Sequence, residues 1–265
     1  MLFRSSGATF AIEADGAVRA SGKRAMRAAP ITVALGPASR LGFTTDPQDT
    51  TAGVRMAAMV VQVQDVYSNA IALGGKTVNL VLNGAVAYTG TFSRVTDASG
   101  RVRFDDVEIR NAATGLTFTA SSAPLTAGTS APFAILPGEP AFVRIETTPS
   151  GSGIIVPAQN IDSRRSVHAY TVARDMFTNY IENVAADEWH LDSVSGGFKQ
   201  SDLEPAPNKR SARFNARQPG NAVIDATVGA LPVVPSGMIE VLPDEPTTVF
   251  RSEEHTSELQ SPYVI

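Results

Sequence analysis

A five-residue seam occurs twice, almost letter for letter. Leu136-Pro137-Gly138-Glu139-Pro140 returns as Leu242-Pro243-Asp244-Glu245-Pro246, and a looser form stands at Leu35-Gly36-Pro37. The stretches before and after each seam read as short apolar strands. The seams recur at intervals of 103 and 106 residues. An internal repeat of about one hundred residues is the size of one small β-sandwich, so each seam reads as a domain boundary.

The repeat predicts the division of all 265 residues. Residues 37–137 and 138–243 form two complete domains. Residues 1–36 are expected to be the end of a preceding one, because Ile12 corresponds to Phe118 and then to Ile224 in equal steps of 106. Residues 244–250 begin a further copy. On this reading Met1 is not the biological start, and a signal peptide would lie upstream.

Within each repeat the apolar residues alternate. Met59, Val61 and Val63 alternate with Val60, Gln62 and Gln64, the period of a half-buried strand. Val78, Leu80 and Leu82 form the next inward face, and Asn83-Gly84 is a hairpin signal. Val102 and Phe104 are followed by Val107 and Ile109, so the parity shifts and a bulge or bend is expected at Asp105-Asp106. Leu116, Phe118 and Ala120 alternate next, and Phe133 and Ile135 close the repeat. The second copy follows the same order through Val143, Ile145, Trp189, Leu191, Ala212, Phe214, Ala222, Ile224 and Ala226. From Val167 to Arg174 the pattern assigns neither face to the core. About seven strands per repeat, with turns every 8–12 residues, predicts an all-β sandwich.

Composition agrees: 43% hydrophobic, 18% charged, with 21 Gly and 17 Pro spread along the chain. This is a turn-rich, foldable composition without a membrane-spanning stretch of about 20 apolar residues. A net charge of −4 offers no basic face for nucleic acid. With no cysteine, disulfides and thiolate chemistry are excluded. A domain of this size folds without them.

The run Arg251-Ser-Glu-Glu-His-Thr-Ser-Glu-Leu-Gln-Ser261 resembles the translation of a sequencing-library adapter. Residues 251–265 are therefore expected to be a non-native tail; the alternative is a polar, helical surface tail. Setting the tail aside removes one Arg and three Glu and halves the net charge to −2.

Four segments carry a family resemblance. Ala38-Ser-Arg-Leu-Gly-Phe43, Val61-Gln-Val-Gln-Asp-Val-Tyr-Ser-Asn69, Ser99-Gly-Arg-Val-Arg-Phe104 and Ser130-Ala-Pro-Phe-Ala-Ile135 resemble bacterial immunoglobulin-like domains of the invasin and intimin group. Filamin-type repeats share much of this pattern. Such domains show a V-x-D-x-x-G-N turn; here its glycine is replaced by Ser68 and by Thr178. The resemblance implies tandem immunoglobulin-like β-sandwiches in a long bacterial cell-surface or extracellular protein, packed against neighbouring repeats of the same chain.

Little in the residues points to catalysis. Of three histidines, His255 lies in the tail, alternation turns His190 to solvent, and His168 sits in the ambiguous strand. A nucleophile, a base and an orienting carboxylate are not brought together by spacing. No catalytic, cofactor or metal residue is assigned. Asp105, Asp106 and Glu108, like Asp187 and Glu188, read as solvated strand ends more readily than as Ca²⁺ ligands, which must number six to eight. Gly74-Gly75 and Gly196-Gly197 are turns outside any phosphate motif. Trp189 reads as core, Asp65 and Asp175 as turn caps, and Arg101, Arg103, Lys209, Arg210 and Arg213 as a solvated face balanced by acids.

The sequence thus predicts a non-catalytic stalk. A seven-residue strand spans about 23 Å, so sandwiches stacked end to end through stiff Pro-containing seams hold a distal domain away from the cell. The second expectation, of a different class, is adhesion to a host or matrix protein or a glycan. Its site would be the longer insertions of the second repeat, 150–161 and 193–207.

Overall fold

The computed structural model describes residues 9–10, 31–32, 34–84 and 86–243. The expectations for Ile12, for residues 244–250, for His255 and for the tail from Arg251 lie outside them.

Alternating strands of this length bury one face each, and two such sheets close into a sandwich. In the first sandwich, Met59–Gln64 runs antiparallel between Arg40–Thr45 and Arg101–Phe104. Opposite lies Ala113–Ser122, paired with Thr77–Asn83, Leu125–Thr129 and Phe133–Leu136. Leu41, Val61 and Phe104 from one sheet meet Leu80, Phe118 and Phe133 from the other in a single core. The Phe118 and Phe133 rings stack with centroids 5.4 Å apart.

The second sandwich repeats the order. Ser166–Arg174 pairs with Phe142–Glu146 and Ser211–Asn215, and Gly220–Thr227 pairs with Glu188–Asp192 and Ile239–Leu242. Its core gathers Ile145, Trp189, Phe214, Ile224 and Ile239. Trp189 is core, as expected, and its indole N–H reaches the Lys209 carbonyl at 2.8 Å. Both units are all-β, immunoglobulin-like sandwiches. Short edge segments such as Thr50–Thr51 and Gln159–Asp162 supplement the principal strands. No helix among the described residues is long and apolar enough to cross a membrane.

One pairing register recurs three times. Leu116 stands opposite Phe133, Ala222 opposite Ile239, and, at the start of the chain, Phe10 opposite Ile31. The serine of the closing motif has a matching role in each sandwich. Ser130 Oγ accepts the Phe118 N–H at 2.9 Å, and Ser236 Oγ accepts the Ile224 N–H at 2.8 Å.

Several local expectations change. Asn83-Gly84 does not turn a tight hairpin: Thr77–Asn83 pairs with Ser93–Val95, so a long connection intervenes. It carries Tyr88–Thr89, which pairs with Glu108–Ile109. The parity shift at Asp105-Asp106 is the place where the chain leaves one sheet for that small ladder, consistent with a bend. Gln62, on the expected polar face, is 1% exposed. Its amide nitrogen lies within 3.2 Å of the Ile71, Ser99 and Gly100 carbonyls, and its oxygen accepts from Arg101 at 3.0 Å. The ambiguous strand defeats alternation because both its faces are covered toward the end: Thr171, Val172, Ala173 and Arg174 are all buried.

Candidate functional site: the junction between the sandwiches

The turn after the second strand builds the site. In Asp175-Met-Phe-Thr-Asn179 the carboxylate cannot reach water, so its oxygens take local donors instead. Oδ1 accepts the N–H groups of Phe177 and Asn179, each at 2.9 Å, and Oδ2 accepts the Asn179 amide at 2.8 Å. Oδ2 also accepts the N–H of the seam residue Gly138 at 2.9 Å. Asp65 makes the same set with Tyr67, Asn69 and Gly36. The turn-cap reading of both aspartates holds. Each also grips the seam that enters its own domain, a contact that spans 37 and 29 residues respectively.

Both carboxyls are held below their ordinary value. At Asp65 the Asn69 side-chain amide lowers it most, with burial opposing. At Asp175 burial pushes upward most strongly, but the bonds from Gly138, Asn179 and Phe177 together outweigh it. A depressed folded-state pKa contributes stability above the unfolded value and loses it as pH falls through the folded one. The urea midpoint should therefore be level near neutrality and decline below about pH 5, and Asp175→Asn should flatten that decline. A slope unchanged by Asp175→Asn would contradict the assignment.

The glycine missing from the turn motif is explained here. Ser68 and Thr178 have φ of 69° and 71°, a left-handed conformation that glycine adopts freely and a β-branched residue adopts poorly. Thr178→Gly should stabilise the chain by about 1 kcal/mol and Ser68→Gly by roughly half as much. Chemical denaturation measures both, and a loss of stability at Thr178→Gly would refute the strain.

The second turn also reaches the other sandwich. Phe177 packs against the core of the first domain. Its ring covers Gly53, where a Cβ would overlap it and where φ is +75°. The Arg110 guanidinium lies over the same ring, 5.6 Å from its centroid. Asn179 completes the contact: its Oδ1 accepts the Ala112 N–H at 2.8 Å and its Nδ2 donates to the Arg110 carbonyl at 2.7 Å. Meanwhile the Leu136 carbonyl is held by the Ala52 N–H at 2.8 Å. The seam is thus fixed by the first domain at Leu136 and by the second at Gly138. Between them stands only Pro137, whose ring fixes φ.

At the far end of the second sandwich the matching position differs. Ser163 and Arg165 bond there as Ala52 and Val54 do in the first, which puts Arg164 in the place of Gly53. Arg164 keeps the left-handed φ, at 71°, but brings a long side chain where the first domain leaves room for a ring.

Other candidate residues fall elsewhere. Asp105, Asp106 and Glu108 are not simply solvated. Arg94 holds both aspartates at 2.9 and 2.8 Å, Thr91 holds Asp106, and Arg110 holds Glu108 at 2.8 Å. Asp187 clamps the Gly229 N–H at 2.7 Å. The expected basic face is partly a set of stitches: Lys209 donates to the Asp187 carbonyl and Arg210 to the Asn183 carbonyl. His168 is exposed opposite Arg213. His190 faces outward with Asp225 at 3.6 Å and Asp192 at 3.8 Å. Their three donor atoms lie within 4.8 Å of one another, a partial ligand set that cross-strand pairing assembles and no sequence spacing announces.

The insertions of the second repeat are not free loops. Arg174 forms a two-pronged ion pair with Glu146, the second contact at 2.7 Å, and its fork also reaches the Gly151 and Gly153 carbonyls. That bond to Glu146 raises the Arg174 guanidinium above its ordinary value, with burial opposing. In the other insertion, Phe198 and Leu203 enter the core.

No protein-family model matches the chain, and no curated protein matches it. Among solved structures it is similar to FdeC, an Escherichia coli adhesin, at 14% identity over 82% of this chain and 69% of that one, with a TM-score of 0.32. The surface layer protein SbsC, domains 4–9, gives 15% identity over 82% of this chain and 33% of that one, TM-score 0.29. The D0-D1 domain of intimin gives 12% over 77% and 98%, TM-score 0.26.

Proposed function

We propose that this chain is a run of non-catalytic spacer domains, of the bacterial immunoglobulin-like class, from a cell-surface or secreted bacterial protein. The domains are 37–137 and 138–243; residues 1–36 end a preceding unit, 244–250 begin another, and 251–265 are foreign. The observation that carries this reading is the double grip on the seam. Both neighbours bond the backbone on either side of Pro137, and Phe177 seals the contact. An adhesive module needs an accessible recognition surface, whereas a spacer needs a joint that resists bending. What the residues build at the boundary is the joint.

The test uses the full chain. Residual dipolar couplings from the two sandwiches should fit one common alignment tensor, and glycan arrays and host cells should capture nothing. Two distinct tensors would refute the stiff spacer. Specific glycan or cell binding lost on Ile154→Asp, at an exposed position of the 150–161 insertion, would instead establish the adhesive reading.

A further inference from the structure

The outer face of the second sandwich gathers three metal-binding side chains. His190 stands directly opposite Asp225 in the antiparallel pair of Glu188–Asp192 with Gly220–Thr227. Asp192 lies two residues on from His190, so alternation puts all three on one face. The His190 Nε2 is 3.6 Å from Asp225 Oδ2 and 3.8 Å from Asp192 Oδ2, and the three donor atoms lie within 4.8 Å of one another. These separations are too long for hydrogen bonds. They suit an ion held between them. Zinc bonds imidazole nitrogen and carboxylate oxygen at about 2.0–2.2 Å, which sets ligand atoms about 3.3–3.6 Å apart around a tetrahedron. Asp225 is already oriented, because its Oδ1 accepts the Ala226 N–H at 2.8 Å and its Oδ2 is left toward His190.

The first sandwich has the same register with different residues. Leu82 opposes Phe118 as Leu191 opposes Ile224, so Val81, Asn83 and Thr119 occupy the places of His190, Asp192 and Asp225. There the Asn83 amide closes the surface by donating to the Thr117 and Thr119 hydroxyls at 3.0 and 2.8 Å. One backbone pattern thus carries a neutral patch in the first domain and an imidazole with two carboxylates in the second. We propose that His190, Asp192 and Asp225 hold a zinc ion, with water in the fourth position. An imidazole beside carboxylates suits zinc, whereas calcium takes six to eight oxygens. The three side chains are 30%, 55% and 20% exposed, which leaves the ion a path from solvent. Bound there, it ties two neighbouring strands together and neutralises two carboxylates that stand close. The proposal is independent of the spacer reading, since it concerns one face of one sheet and no joint.

The test is a calorimetric titration of the full chain with zinc chloride. Binding should saturate at about one zinc per chain, and saturating zinc should raise the urea midpoint of the second sandwich, because the ion binds the folded form. His190→Gln and, separately, Asp192→Asn should each weaken binding by about a hundredfold, since even an outer partner of a metal ligand is worth roughly 10–100-fold. Both positions are on the outer face, so the midpoints without zinc should stay near that of the unsubstituted chain; if one variant fails to fold, the other decides. His168→Gln combined with His255→Gln should bind zinc as the unsubstituted chain does, which separates this site from the other imidazoles. Zinc binding that is absent, that either single change leaves intact, or that disappears with the His168 and His255 pair overturns the proposal. Calcium bound as tightly by the same residues would overturn the choice of zinc.

Discussion

Phe177→Ala is expected to uncouple the two sandwiches while leaving each folded. The ring belongs to the second domain but packs against the core of the first. Its removal withdraws apolar contact from both Gly53 and the Arg110 stem. Burial of a phenylalanine side chain contributes about 1.5–3 kcal/mol when complete, and this ring is half-buried, so a loss near 1–2 kcal/mol of coupling is expected. The readout is the common alignment tensor, which should split in two, together with two denaturation transitions that move apart. The bonds of Asn179 to Ala112 and Arg110 then remain as side-chain links from this turn. One is part-buried and the other exposed, and they hold orientation weakly on their own.

A paired change makes this prediction specific. Gly53→Ala places a methyl group into the Phe177 ring and strains a left-handed residue. Only the steric part depends on Phe177. In the Phe177→Ala background the substitution should therefore cost only the backbone strain, about 1 kcal/mol. The two effects should be non-additive, as expected of groups in direct contact. Additive effects would mean the ring does not sit on Gly53.

The second large effect concerns Arg174 and Glu146. Their side chains are 7% and 0% exposed, and the pair is the buried ionic centre of the second sandwich. Glu146→Gln or Arg174→Met leaves one charge without its partner in a place water does not reach. Breaking such a pair costs about 3–5 kcal/mol. Because Arg174 also holds the Thr178, Gly151 and Gly153 carbonyls, Arg174→Met should loosen the 150–154 hairpin and the docking turn together. Glu146→Leu combined with Arg174→Met removes both charges, so its cost should be far below the sum of the two single changes. Urea denaturation of the three variants decides the matter; equal, additive losses would show that the pair is not coupled.

Arg174 occupies the position of Gln64 in the first domain, one residue before the capping aspartate. Hydrophobic alternation does not separate these two residues: both are polar and follow an inward-facing strand. What separates them is the chain folded above. Residues 147–156 of the second sandwich turn back over Arg174, and the Glu146–Ile155 bridge holds them there. The expected exposed loop is thus a lid over an ion pair. Gln62 makes the same point, since its burial depends on carbonyls from residues 71, 99 and 100 arriving around it.

By itself the sequence determined much of what depends on short-range order, the hairpin expected at Asn83-Gly84 excepted. The residues that period-two alternation placed on inward faces are buried, from Val61 and Phe118 to Trp189 and Ile224, but it left out others, such as Leu41, Val172 and Ile239. Turn chemistry named Asp65 and Asp175, because their ligands lie within four residues. Only the tertiary structure decided what the joint does. Asn179 meets Ala112 and Arg110 across 67 and 69 residues, Phe177 meets Gly53 from still farther along the chain, and Glu146 meets Arg174 across 28. Contacts at such separations leave no periodic trace along the chain. Their partners are set by how two finished sandwiches abut, through the geometry of the loops at their ends.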